Sequence, residues 1–243
     1  MCCFSGDVTV SSTSIFARDA GKDRQFLIYA MSASSENDVA MILPLPVPDN
    51  PGDDAVKFID LSGYPTIFDD LYKFVTFGDG IPLGLAGGDL AVQEVGAFEA
   101  SFVPRIADFA RLDRRFQLPA GTWEKLPAYR DHGFAVFKLK AGNREIHPMA
   151  FSFPRRDAST LFFPTVHIHD GQVHEVAEFN HQLYAQVGER RIPQAEEWNE
   201  SKHHAGHKID IKRAAGIIAG DQHVYSRQIE GEFPNQDTLL KFG

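Results

Sequence analysis

The chain has 243 residues, 43% of them hydrophobic and twenty of them phenylalanine, with a formal net charge of −9. That apolar content supports an aromatic-rich core in a single domain, or in two packed sub-domains meeting near residues 78–90. An acidic chain without a Lys/Arg-rich run is not built to hold nucleic acid or an anionic membrane.

Along the chain, Ser14–Ala17 and Gln25–Met31 are apolar runs on either side of the turn-rich Arg18-Asp19-Ala20-Gly21-Lys22-Asp23, which predicts a hairpin. Val39–Leu45 is continuously apolar, as a strand buried on both faces is. Extended to Val47 it is the longest apolar run, but Pro44 and Pro46 interrupt it and it is far too short to span a bilayer. The N-terminus lacks the basic and apolar regions of a secretory signal, so a cytoplasmic protein is expected. After Gly63-Tyr64-Pro65, the residues Ile67, Phe68, Leu71, Phe74 and Val75 fall at helical spacing, with Asp69 and Asp70 early and Gly78 and Gly80 as the stop. The stretch Gly78–Gly88 is glycine-rich but lacks the Gly-Lys-Ser/Thr ending of a phosphate loop, so it reads as a turn region.

Further on, Leu90–Phe102 reads as extended and Thr122–Tyr129 as a short helix. Gly133–Lys140, Arg144–Phe153 and Leu161–His169 read as strands. The pattern is strand-rich with few strand-helix-strand units. It predicts an α+β fold with mostly antiparallel sheet and a few short helices.

The stretch Val166-His167-Ile168-His169-Asp170-Gly171-Gln172-Val173-His174 carries the most chemistry. Asp-Gly is a preferred pair for a two-residue hairpin turn. In that register His167 faces His174, and His169 lies beside them on the same face. The first pair would then be about 5 Å apart, and His167 and His169 about 7 Å. Such imidazoles can converge on a copper, zinc or iron ion, with His181 or the thiolates of Cys2 and Cys3 completing the set. Asp170, Glu175 and Glu178 are the nearby acid/base candidates. Ten histidines in a chain also cluster by chance, and an ordinary solvated hairpin carries the same pattern. A second group, His203-His204-Ala205-Gly206-His207, puts His203 and His207 four apart. It lacks the Glu of a zinc-protease helix and sits among charged residues.

Cys2 and Cys3 are the only cysteines, and adjacent cysteines do not fit ordinary disulfide geometry. If Met1 is removed, Cys2 carries a thiol nucleophile beside its own α-amine base. Met1-Cys2 followed by Ile15-Phe16-Ala17-Arg18-Asp19 resembles the opening of choloylglycine-type amidohydrolases. That resemblance implies roles for Arg18 and Asp19 beside the cysteine. The alternative is a pair of small buried hydrophobes in a first strand.

A second resemblance rests on Ile15–Arg18, Phe26–Tyr29, Ala40–Pro48 and Phe68-Asp69-Asp70-Leu71. Later, Ala135–Lys138, His147-Pro148-Met149 and Leu161–Pro164 extend it. Together they resemble a bacterial family of unknown function, in which an apolar strand ending Pro-x-Pro precedes an aspartate-bearing helix. It implies a single domain and no particular chemistry. The leading expectation is therefore a metal-binding protein acting as a metal-dependent hydrolase or oxidoreductase on a small molecule or peptide. An N-terminal-cysteine amidohydrolase and a non-enzymatic binding or scaffold protein are the alternatives.

Overall fold

The structure is a computed structural model that describes residues 3–77, 99–114, 117–118, 121–168, 172–190, 192 and 195–242. A two-residue strand, β1 (Cys3–Phe4), comes first. The predicted hairpin follows and is longer than its apolar runs suggest: β2 (Thr9–Gly21) pairs antiparallel with β3 (Arg24–Ser35). Arg18–Gly21 continues the strand, and Gly21 faces Arg24 in register. Lys22 and Asp23 remain as a two-residue turn with φ of 50° and 56°. Positive φ at both central positions is type I′ geometry, whose twist matches that of the strands.

β4 (Val39–Leu45) is the predicted apolar strand, and every residue in it is buried. β5 (Lys57–Ile59) leads to α1 (Ile67–Phe77), where Ile67, Leu71 and Phe74 are buried one turn apart and Asp69 and Asp70 occupy the first turn. Tyr64 donates its hydroxyl to Asp70 at 2.7 Å, tying the approach segment to that turn. The Gly78–Gly88 stretch, with the suggested sub-domain boundary, and most of the extended segment from Leu90 lie outside the described residues. The end of that segment is β6 (Glu99–Val103). The short helix expected over Thr122–Tyr129 is instead two 3-10 turns, Trp123–Lys125 and Pro127–Tyr129. Pro127 has no N–H to carry a helical ladder across the junction.

β7 (Gly133–Leu139) and β8 (Gly142–Pro154) lie where strands are expected. The next strand stops early: β9 (Thr160–Phe163) ends before Pro164. β10 (Val176–Gln186), β11 (Asn199–Glu200), β12 (Tyr225–Pro234) and β13 (Thr238–Lys241) complete the set. One sheet has the order β1-β4-β7-β6, a second β11-β12-β10-β2-β3-β8-β5, and β13 pairs with β9. Only β10 with β2 is parallel among these strand pairs. The fold is thus mostly antiparallel sheet with few helices, as expected.

Period-two alternation assigns the faces. Ile15 and Ala17, Leu27 and Tyr29, Phe151 and Phe153, and Leu183 and Ala185 turn to the core shared with Met41, Leu43, Ala135 and Phe137 of the smaller sheet. Phe16, Ile28, Ala150 and Tyr184 turn the other way, against α1 and Ile217–Ile218. The outer face of the smaller sheet, with Ala40, Ile42, Phe134 and Val136, packs against Phe109, Leu126 and Tyr129. Cover on both faces explains why β4 reads as an unbroken apolar run. No helix among the described residues is long and apolar enough to cross a membrane.

Candidate functional site

The segment leading to the histidines is held by side chains from the C-terminal end of the chain. After Phe163 the main chain leaves β9 at Pro164, and Asp237 takes the next two amides: its Oδ1 accepts from Thr165 N–H at 2.8 Å and Val166 N–H at 3.1 Å. Its Oδ2 accepts from the Tyr129 hydroxyl at 2.6 Å. Burial pushes the Asp237 carboxyl up from its ordinary value, opposed by these hydrogen bonds, which favour the charged form. Burial, then the neighbouring Asp237, pushes the Tyr129 hydroxyl strongly up, so it stays protonated and donates.

Asn235 does the same for the histidines. Its Oδ1 accepts from His167 N–H at 2.7 Å, and its Nδ2 donates to the carbonyls of His167 (2.9 Å) and His174 (3.0 Å). The two histidines are therefore bracketed by one amide side chain. Asp170-Gly171, on which the predicted hairpin register depends, lies with His169 outside the described residues.

His181 comes from β10, facing the same way as Phe179, Leu183 and Ala185, and is 1% exposed. Its ring lies 5.0 Å from that of His167, centroid to centroid. Phe179 packs against both, 4.4 Å from His167 and 5.3 Å from His181. His167, His174 and His181 line one pocket of about 580 Å3, with Ser11, Thr13, Glu178 and Glu230 around it. Ser11 and Thr13 reach it from an irregularity in β2, where the register with β3 shifts between Ser11 and Ser14 and Ser12 has φ of 53°. A bulge of this kind re-aims the side chains beside it.

The other candidates fall elsewhere. Cys3 is fully buried in β1, which pairs with Met41 and Ile42 and bridges in parallel to Ile168. Its neighbours in the core are Val166 and Ile168, the residues on either side of His167 in sequence. That is the small-hydrophobe reading of this cysteine. Cys2 lies outside the described residues. Glu175 is exposed, its carbonyl accepting from Asn235 N–H at 2.8 Å. Among the described residues, no group of three or more His, Cys, Asp or Glu side chains is placed to hold a metal ion.

Arg18 and Asp19, adjacent in β2, point to opposite faces. Arg18 donates to the carbonyls of Ile217 and Gly216 and lies 4.9 Å over the Phe26 ring. Asp19 pairs with the buried Arg155 at 3.0 Å and with Arg190. Against the upward push of burial, the Gly21 N–H, Arg155 and Arg190 hold its carboxyl below the usual carboxylate range. These contacts tie the strand ends together. In the second histidine group, the His203 and His207 rings stack at 4.7 Å and His204 meets His223 edge-on at 4.5 Å. Only three residues there, Ala205–His207, are helical, as a 3-10 turn.

Asn235 and Asp237 are the residues that sequence reasoning missed. Their available signal was the turn composition of Pro234-Asn235-Gln236-Asp237, since Asx side chains readily bond nearby main chain.

No protein-family model and no curated protein matches the chain. Among solved structures, that of baculovirus P35 is similar with a TM-score of 0.56 at 13% identity, covering 99% of each chain. A mutated baculovirus P35 after caspase cleavage is similar with a TM-score of 0.53, also at 13% identity, covering 96% of this chain and all of the other. The fold is P35-like. At this identity the likeness is one of architecture; the histidine pocket is lined by β2, β10, Glu230 of β12 and the segment carrying His167 and His174.

Proposed function

We propose that this chain is a protein ligand of a caspase-type cysteine protease, cut by it after an aspartate and occupying its active site. The supporting observation is the likeness of fold along 96% of the chain to a P35 seen after caspase cleavage. This reading belongs with the binding-protein alternative of the sequence analysis and agrees with a peptide or protein partner.

The physical logic is that of a presented peptide. A protease takes its substrate as an extended segment added to its own strands, and residues locked in a helix or a sheet ladder are poor substrates. Much of this chain is locked in two packed sheets. Between α1 and β6 the sequence carries Asp79 and Asp89 in and just after its glycine-rich stretch. These are the first aspartates to substitute.

The test is incubation of the full chain with an active caspase, followed by intact mass and residual hydrolysis of a small aspartyl-peptide substrate. A single cut after one aspartate, abolished in Asp89→Asn or Asp79→Asn, with loss of peptide hydrolysis, is the expected result. An intact chain and an unaffected protease refute the proposal. Cleavage with full turnover of the peptide refutes its inhibitory half.

A further inference from the structure

From the paired imidazoles, and independently of the protease reading, we infer that the histidine pocket binds a divalent late-transition ion of the zinc type through His167, His181 and His174. A zinc–nitrogen bond of about 2 Å places the ion about 3 Å from each ring centroid, so two rings at the tetrahedral angle have centroids about 5 Å apart. The His167 and His181 centroids are 5.0 Å apart. Phe179 packs against both rings and fixes the pair in place, which lowers the ordering cost of binding. Imidazole nitrogen suits zinc, copper and nickel in preference to magnesium or calcium.

The pair alone is not a full ligand set, and no third such group among the described residues converges on it. His174 supplies the third position. Its main chain is anchored by Asn235 and its side chain is exposed on the lining of the same pocket; in the proposed site that side chain turns in as the third ligand. The carboxylates of Glu178 and Glu230 on that rim add a field that favours a cation. Water fills the remaining position, the arrangement of an open zinc site.

The test uses full-length protein without a His-tag, stripped with a chelator and titrated with Zn2+ by calorimetry and with Co2+ by visible absorption. The expected result is one ion per chain with a tetrahedral Co2+ spectrum. His167→Gln, only half-buried, weakens Zn2+ binding by at least about tenfold. His174→Ala, at an exposed position, weakens it without altering the circular dichroism spectrum. This second variant keeps the inference falsifiable should His167→Gln misfold. Absence of binding in the wild type overturns it, as does wild-type affinity in both His167→Gln and His174→Ala. So does loss of binding in His203→Ala/His207→Ala alone, which assigns the ion to the stacked pair.

Discussion

Replacing Asp237 separates two views of the segment before the histidines, one held by β-pairing and one held by a half-buried carboxylate. The carboxylate accepts three hydrogen bonds, from Thr165 N–H, Val166 N–H and the Tyr129 hydroxyl. Asp237→Ala leaves three donors without an acceptor in a buried place. Each such orphan costs about 1–3 kcal/mol, and partial relaxation brings the sum to about 3–5 kcal/mol. For a chain of this size that lowers Tm by about 10 °C. Asp237→Asn keeps an oxygen for the two amides, and the Tyr129 hydroxyl can turn to accept from the new NH2, so it costs only about 1 kcal/mol. Thermal and urea unfolding followed by circular dichroism give both numbers. The pH dependence supplies an internal check. Because burial raises the folded-state pKa of Asp237, its protonated form is favoured on folding, and the stability this contributes is present below the unfolded value of 3.8 and lost as pH rises through the folded one. The stability gap between wild type and Asp237→Asn should therefore shrink as pH rises above 3.8. If Asp237→Ala unfolds within about 1 kcal/mol of wild type, the three hydrogen bonds do not hold the segment and the reasoning fails.

Gly206→Ala should destabilise by about 1–3 kcal/mol by overpacking: a Cβ there meets the Gly220 carbonyl oxygen at 2.9 Å, so an unchanged urea midpoint contradicts the close approach. In the Lys22–Asp23 turn, Lys22→Asn/Asp23→Gly puts the preferred pair for positive φ at both positions and should raise stability by about 1 kcal/mol, read as a higher Tm. His132 is pushed down to about 4 by burial and then by Arg156. It therefore folds neutral, and its contribution is full above pH 6.5 and is lost as pH falls through about 4. Partial exposure limits that loss to about 1–2 kcal/mol. His132→Phe should flatten the acid limb of a stability–pH curve over that window, and an unchanged limb argues against a neutral buried ring.

Legibility in the sequence followed how local the forces were. α1 was readable because Ile67, Leu71 and Phe74 line one stripe and the acidic residues sit in its first turn. β4 was readable because both of its faces are covered, leaving no polar position to break the apolar run. The first hairpin was readable as a hairpin, although its turn was misplaced, because Arg18 and Asp19 look like turn residues and are strand residues satisfied by distant partners. β10 and β12 were not readable as strands. Their buried faces include His181 and Ser226, and their exposed faces are charged or polar, so the apolar alternation is too weak to see. The polar Thr9–Ser14 half of β2 is extended because β3 supplies a ladder along it and β10 a second one from Thr13 onward, which no local propensity announces.

The histidine stretch is positioned by side chains far from it in sequence. Asp170-Gly171 between alternating apolar residues predicts two strands paired across a tight turn. β9 instead spends its pairing on β13 and stops at Pro164, which cannot donate to a ladder. The amides of Thr165, Val166 and His167 then need acceptors, and they find them in Asp237 and Asn235, on the link between β12 and β13. The carboxylate and the amide do what a neighbouring strand would have done, with one difference. A ladder can slip by one residue, whereas side chains bonded to three successive amides set the register of this segment uniquely. His167 is thereby brought to His181, fourteen positions away on β10. Three imidazoles line one pocket, two from the bracketed segment and one from a buried strand. A pocket assembled this way depends on Asn235 and Asp237 as much as on its own lining, so its geometry and the stability of the C-terminal turn must rise and fall together.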